Sequence, residues 1–106
     1  MEIPLSELTE AAASYGPTAY AAVSDPQGSP RVTHVRPRAE AGLLHFGLGR
    51  RSVQLLATNP HLTLVWPATS DQSMSLIVDA DVIGAASEDG IVQVRPTRAV
   101  RHRPAP

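Results

Sequence analysis

From Thr18 onward, short segments rich in Val, Ile, Thr, Tyr and Trp alternate with tight clusters of Gly, Pro, Asp, Asn and Ser. That punctuation leaves room for little except a small antiparallel sheet. Residues 18–24 and 31–36 are separated by Asp25-Pro26-Gln27-Gly28-Ser29-Pro30, which predicts a hairpin. A second hairpin loop around Ala39 to Gly42 leads into 43–48. Residues 61–66 alternate cleanly, with Leu62, Leu64 and Trp66 on one face and His61, Thr63 and Val65 on the other, as a half-buried strand requires. Strands at 74–83 and 90–95 complete six.

Two helices interrupt this pattern. Ser6, Glu7, Thr9 and Glu10 read as a helix start, with Leu8, Ala12 and Tyr15 at helical spacing and Gly16-Pro17 as the stop. Residues 50–58 carry Val53, Leu56 and Ala57 as an apolar stripe, and Asn59-Pro60 ends it. The Arg- and Pro-rich stretch 96–106 is expected to leave the core as a loosely held tail. The reading is a mainly β fold, a small antiparallel barrel in one domain spanning 1–106, with closure removing exposed edges.

A chain of 106 residues builds only a thin core, so burying one face against a second copy would stabilise it. The lack of Cys excludes disulfides, thiolate metal sites and cysteine nucleophiles, and fits a cytoplasmic location. Glu2 and Pro4 open the chain where a signal segment would be basic and then apolar, and apolar runs are short, so no membrane partner is expected. A net charge of −1 and only four aromatic residues, Tyr15, Tyr20, Phe46 and Trp66, argue against a nucleic-acid partner. Four histidines at 34, 45, 61 and 102 lack ligand spacing, so no metal site is expected.

All nine basic residues are Arg, and the first is Arg31. Arginine presents a planar fork of donors suited to phosphate oxygens. Gly47-Leu48-Gly49-Arg50-Arg51-Ser52 places two of them where a strand passes into a helix. A helix N-terminus already carries unpaired N–H groups and partial positive charge, so two cations there are unfavourable until an anion binds. The glycines would permit tight backbone geometry and close approach of a ligand. The plainer alternative is a solvated Arg-Arg turn. In R-V-T-H-V-R, a period of two sets Arg31 and Arg36 on opposite faces, so one lies at a strand end, or a bulge intervenes, or one faces water. Thr33 and His34 offer polar groups for a heterocyclic ring edge. No residue pair is placed for recognisable acid–base or nucleophilic work, and the catalytic residues are unassigned.

The order of elements resembles the pyridoxamine 5'-phosphate oxidase-like split-barrel flavoproteins over about residues 18–100. The resemblance rests on G-S-P-R-V-T-H-V-R, on G-L-L-H-F-G-L-G-R-R-S-V-Q-L-L-A-T-N-P-H-L-T-L-V-W, and on S-L-I-V-D-A-D-V with P-T-R-A-V-R-H-R-P. It implies a six-stranded split barrel, a homodimer with a cofactor groove at the subunit interface, and FMN or a deazaflavin (coenzyme F420) as cofactor. Matched by position, Arg31, Val32, Thr33, His34 and Arg36 fall on the strand that contacts ring and phosphate, and Phe46, Gly47, Arg51 and Ser52 on the second contact set. Ser52 stands where the oxidases carry a Lys, which leaves Arg50 as the substitute cation. The oxidases' C-terminal substrate segment has no counterpart, so pyridoxamine phosphate oxidation itself is not expected. The resemblance implies a flavin-dependent oxidoreductase of unknown substrate or, alternatively, a non-catalytic flavin-binding or sensing module.

Overall fold

The computed structural model describes residues 1–105. Eight strands form one antiparallel sheet: β1 (Glu2–Ile3), β2 (Ala19–Ser24), β3 (Pro30–Val35), β4 (Arg38–Glu40), β5 (Leu43–Gly47), β6 (His61–Trp66), β7 (Ser75–Val82) and β8 (Ile91–His102). The hydrogen-bonded order is β3-β2-β6-β7-β8-β5-β4, with β1 added alongside β8. β3 and β4 occupy opposite ends of that order yet are joined in sequence through Arg36 and Pro37 alone. The sheet must therefore curl until its two edges meet. Closure comes from this short connection and not from a ladder, so the barrel is split, as the resemblance implied. Six strands were foreseen; the two extra ones, β1 and β4, have two and three residues and are too short to show a period.

Alternation decides which face packs. Ala19, Ala21 and Val23 of β2, Leu62, Leu64 and Trp66 of β6, and Leu76, Val78 and Ala80 of β7 are all buried on the concave side. Phe46 of β5 and Val92 and Val94 of β8 join them. A 3₁₀ turn (Leu5–Glu7) runs into α1 (Leu8–Ala13), which buries Leu8 and Ala11, and α2 (Arg50–Thr58) buries Leu55 and Leu56. Ser6 lies inside the 3₁₀ turn, and neither the turn nor α1 has a side-chain cap, so the expected capped start at Ser6 is corrected. Tyr15, just past α1, is buried and donates its hydroxyl to the Met74 carbonyl at 2.7 Å.

The expected loose tail is also corrected. Residues 96–102 are the second half of β8, paired with β7 from Arg95↔Asp81 to His102↔Ser75 and with β1 at Ala99 and Val100. Pro96 is tolerated because the register shifts between Asp79 and Ala80, so it sits beside a bulge and owes no donor on its other side, between the β5 and β1 pairings. Only Arg103 to Ala105 lack regular structure among the described residues of that stretch, and Pro106 lies outside them.

Candidate functional site

The turn leading from β5 into α2 is built without an acid. Gly49 is the N-cap with no side-chain cap, and the first helical bond runs from Val53 N–H to the Gly49 carbonyl at 3.1 Å. The amides of Arg50, Arg51 and Ser52 thus precede any helical acceptor, and no acidic residue occupies that first turn. Leu48 N–H donates to the Gly90 carbonyl at 3.0 Å, anchoring the turn to the loop before β8. Gly90 has φ 79°, and a Cβ there would lie 2.7 Å from the Leu48 oxygen, so only glycine fits.

Gly47 and Gly49 differ from this. Neither has positive φ, a Cβ on Gly49 would meet nothing within 4 Å, and one on Gly47 would make only an ordinary 3.5 Å contact with Ile91. Tight backbone geometry therefore does not explain them, which corrects one of the two reasons drawn from the sequence. Open space for an approaching group is what Gly49 leaves.

Arg51 is not free. Its guanidinium lies 3.7 Å from the Asp25 carboxylate, across to the β2–β3 hairpin. Asp25 also accepts the Gln27 N–H at 2.8 Å, which fixes it within the turn. The pair brings the start of α2 to the hairpin end of β3, where Arg31 stands opposite Val23 in register. Arg31 and Arg50 are exposed and have no carboxylate partner among the described residues. Ser52 is 4% exposed, so its side chain is withdrawn from the surface that Arg50 and Arg51 share. Phe46 is equally a core residue, at 3%.

The expected contact strand divides by face. Arg31, Thr33 and Val35 pair with Val23, Ala21 and Ala19 and share their concave side; Val32 and His34 point outward. Thr33 and His34 cannot both address one ring edge by their side chains. Arg36 lies just beyond the strand, on the His34 side by period and exposed. Arg31 and Arg36 are five residues apart, about 16 Å at roughly 3.3 Å per residue, too far for one phosphate.

Two partners escaped the sequence reading. Local composition marks Asp25 as a turn former and gives no sign of Arg51 as its partner. The Tyr20 ring stacks on His34 with centroids 4.7 Å apart; hairpin register alone places the two opposite each other. A further polar group sits on the outer face, where His61 hydrogen-bonds Asp81 and Thr63 donates to Asp79 at 3.0 Å. No group of three or more metal-ligating side chains is assembled among the described residues, and no helix there is long and apolar enough to cross a membrane.

No protein-family model matches the sequence, and no curated protein matches it. Solved structures do. An F420 reductase aligns over 78% of this chain and 88% of its own, with a TM-score of 0.62 at 18% identity. An FAD-binding protein from Mesorhizobium loti covers 97% of this chain and 91% of its own, with a TM-score of 0.64 at 12% identity. The fold is a split barrel. HutZ, the heme storage protein from Vibrio cholerae, shares the split-barrel architecture over 93% of this chain and 96% of its own, with a TM-score of 0.58 at 14% identity. One split barrel is thus named for a reductase, one for flavin binding and one for heme, so the chemistry must be sought in the residues of the site.

Proposed function

We propose that this split barrel binds a phosphate-bearing flavin-type cofactor, FMN or the deazaflavin coenzyme F420, and acts as a cytoplasmic oxidoreductase in the form of a homodimer. The observation that carries the reading is the uncapped start of α2, where Arg50 has no carboxylate partner among the described residues beside free amides and the open space at Gly49, and which the Arg51–Asp25 contact ties to the hairpin that precedes Arg31. The Arg50 guanidinium and those backbone N–H groups match the oxygens of a phosphate group, with Arg31 as a further contact. Arg51 completes the set once its contact with Asp25 is shared or exchanged. Gly47 allows close approach through its backbone, whereas Phe46 and Ser52 support the turn from the core side.

Along β3 the outward side chains, Val32 and His34, would flank a ring running from that phosphate toward Arg36. Thr33 would contribute through its backbone. The cofactor, when bound, supplies hydride chemistry, and the chain holds and orients it. The split-barrel neighbours named for F420 and FAD support the cofactor class.

The dimer is supported by a row of outward residues that crosses the sheet in register: Tyr20 beside Val65, Val65 beside Ile77, Ile77 beside Val100. Tyr20 is 41% and Val32 61% exposed, a surface that a second copy would cover. The absorption spectrum of the protein as purified, with calorimetric titration by FMN and by F420, tests the reading. A colourless protein that binds neither at micromolar concentration would end it. Binding without turnover across electron donors and acceptors would assign the non-catalytic flavin-binding or sensing module instead.

A further inference from the structure

A second concavity lies at the opposite end of β3, where the two edges of the sheet meet without pairing. α1 and the turn after it lie across this seam, and between them and the β3–β4 connection is a cleft of about 440 Å³. Leu8, Ala12 and Ala13 form one wall; Pro37, Ala39 and the buried Trp66 form the other.

Three properties define what fits. No ionisable side chain lines the cleft, so a charged ligand would lose its hydration without a counter-charge. The volume falls in the range of about 300–1,000 Å³ usual for small-molecule pockets. Finally, β4 hydrogen-bonds only to β5, which leaves its other edge with unpaired N–H and C=O groups beside an apolar wall. A ligand with one polar edge would satisfy them.

We propose that this cleft is a binding site for an uncharged, largely apolar small molecule that carries a hydrogen-bonding edge. The site does not depend on the cofactor reading. It is made of different residues, and about 16 Å of strand separates it from the arginine cluster.

The test uses the uncharged fluorophore N-phenyl-1-naphthylamine and the full-length protein. Saturable binding at micromolar concentration is expected. Ala13→Arg, which brings charge to the cleft, and Ala12→Leu, which adds bulk to its α1 wall, should each weaken binding at least tenfold. Ser6→Glu, on the groove at the other side of α1, should leave it within twofold. Thermal melts identify any variant that fails to fold, and the remaining one then decides. The proposal is overturned if the folded protein shows no saturable binding, or if binding is indifferent to both cleft variants. Binding that disappears as protein concentration and self-association rise would overturn it too, since a second copy would then be the occupant.

Discussion

The two ends of β3 present opposite chemistry although they belong to one six-residue strand. At the hairpin end, Arg31 stands opposite Val23, and the hairpin turn holds Asp25 against Arg51 at the uncapped start of α2. At the other end, Val35 is buried, Pro37 removes a backbone donor, and an uncharged cleft opens under α1. β2, β3 and α2 themselves carry no acid, and Asp25 in the turn is the carboxylate that meets Arg51. The cleft side of the far end is apolar where the sheet's own edges approach, while Arg36 faces outward. The contrast can be broken at either end.

The largest effect is expected at Gly90. Gly90→Ala forces a Cβ against the Leu48 carbonyl at positive φ, costing about 2–3 kcal/mol, close to the upper range for a strained backbone position. Urea denaturation should show a lower midpoint at unchanged slope, and cofactor affinity should fall with it because the turn carrying Arg50 and Arg51 shifts. Gly28→Ala, at a positive φ with nothing within 4 Å, should cost clearly less and leave binding intact.

Next come the arginines. Arg31→Ala should weaken FMN binding about ten- to a hundredfold, the loss expected for one charge-assisted contact of about 1.5–3 kcal/mol. Arg36→Ala, about 16 Å away along the strand, should change it less than about threefold in the same calorimetric titration. Equal losses from both would mean that the phosphate sits between them and that the strand is distorted when the cofactor is bound.

Tyr20→Ala removes the stack on His34 and is expected to cost about 1 kcal/mol in thermal or chemical melts. Tyr20→Glu should in addition shift the protein from dimer to monomer in light scattering at micromolar concentration. The smallest effect belongs to the Arg51–Asp25 pair. Arg51 is 52% exposed by side chain, so Asp25→Asn should change stability by less than about 1 kcal/mol while leaving Arg51 more available to an anion.

The parts of the fold legible in the sequence were those governed by local periodicity. The alternation of His61 to Trp66 and the helix from Arg50 to Thr58 have the expected boundaries, but the buried face of that helix is Ser52, Leu55 and Leu56, with Ala57 exposed, so the expected stripe of Val53, Leu56 and Ala57 is corrected. What escaped depended on distant partners. Ala99 and Val100 are held in β8 by β1 and β7, which the Arg- and Pro-rich composition around them concealed. Arg51 meets Asp25 only because α2 folds back to the first hairpin, a contact with no signature in either segment. Burial of Ser52 follows from the helix face that packs on the sheet, and the two flanking arginines masked it.

The central claim is that the hairpin end of β3 recognises a phosphate. Titrating FMN and riboflavin, which share a ring and differ in the phosphate, into the wild-type protein and into Arg50→Ala tests it most directly. FMN should bind the wild type at least tenfold tighter than riboflavin, and Arg50→Ala should shrink that difference by about tenfold while leaving riboflavin affinity unchanged. Equal affinity of the wild type for the two flavins, or a difference that survives Arg50→Ala undiminished, would contradict the account.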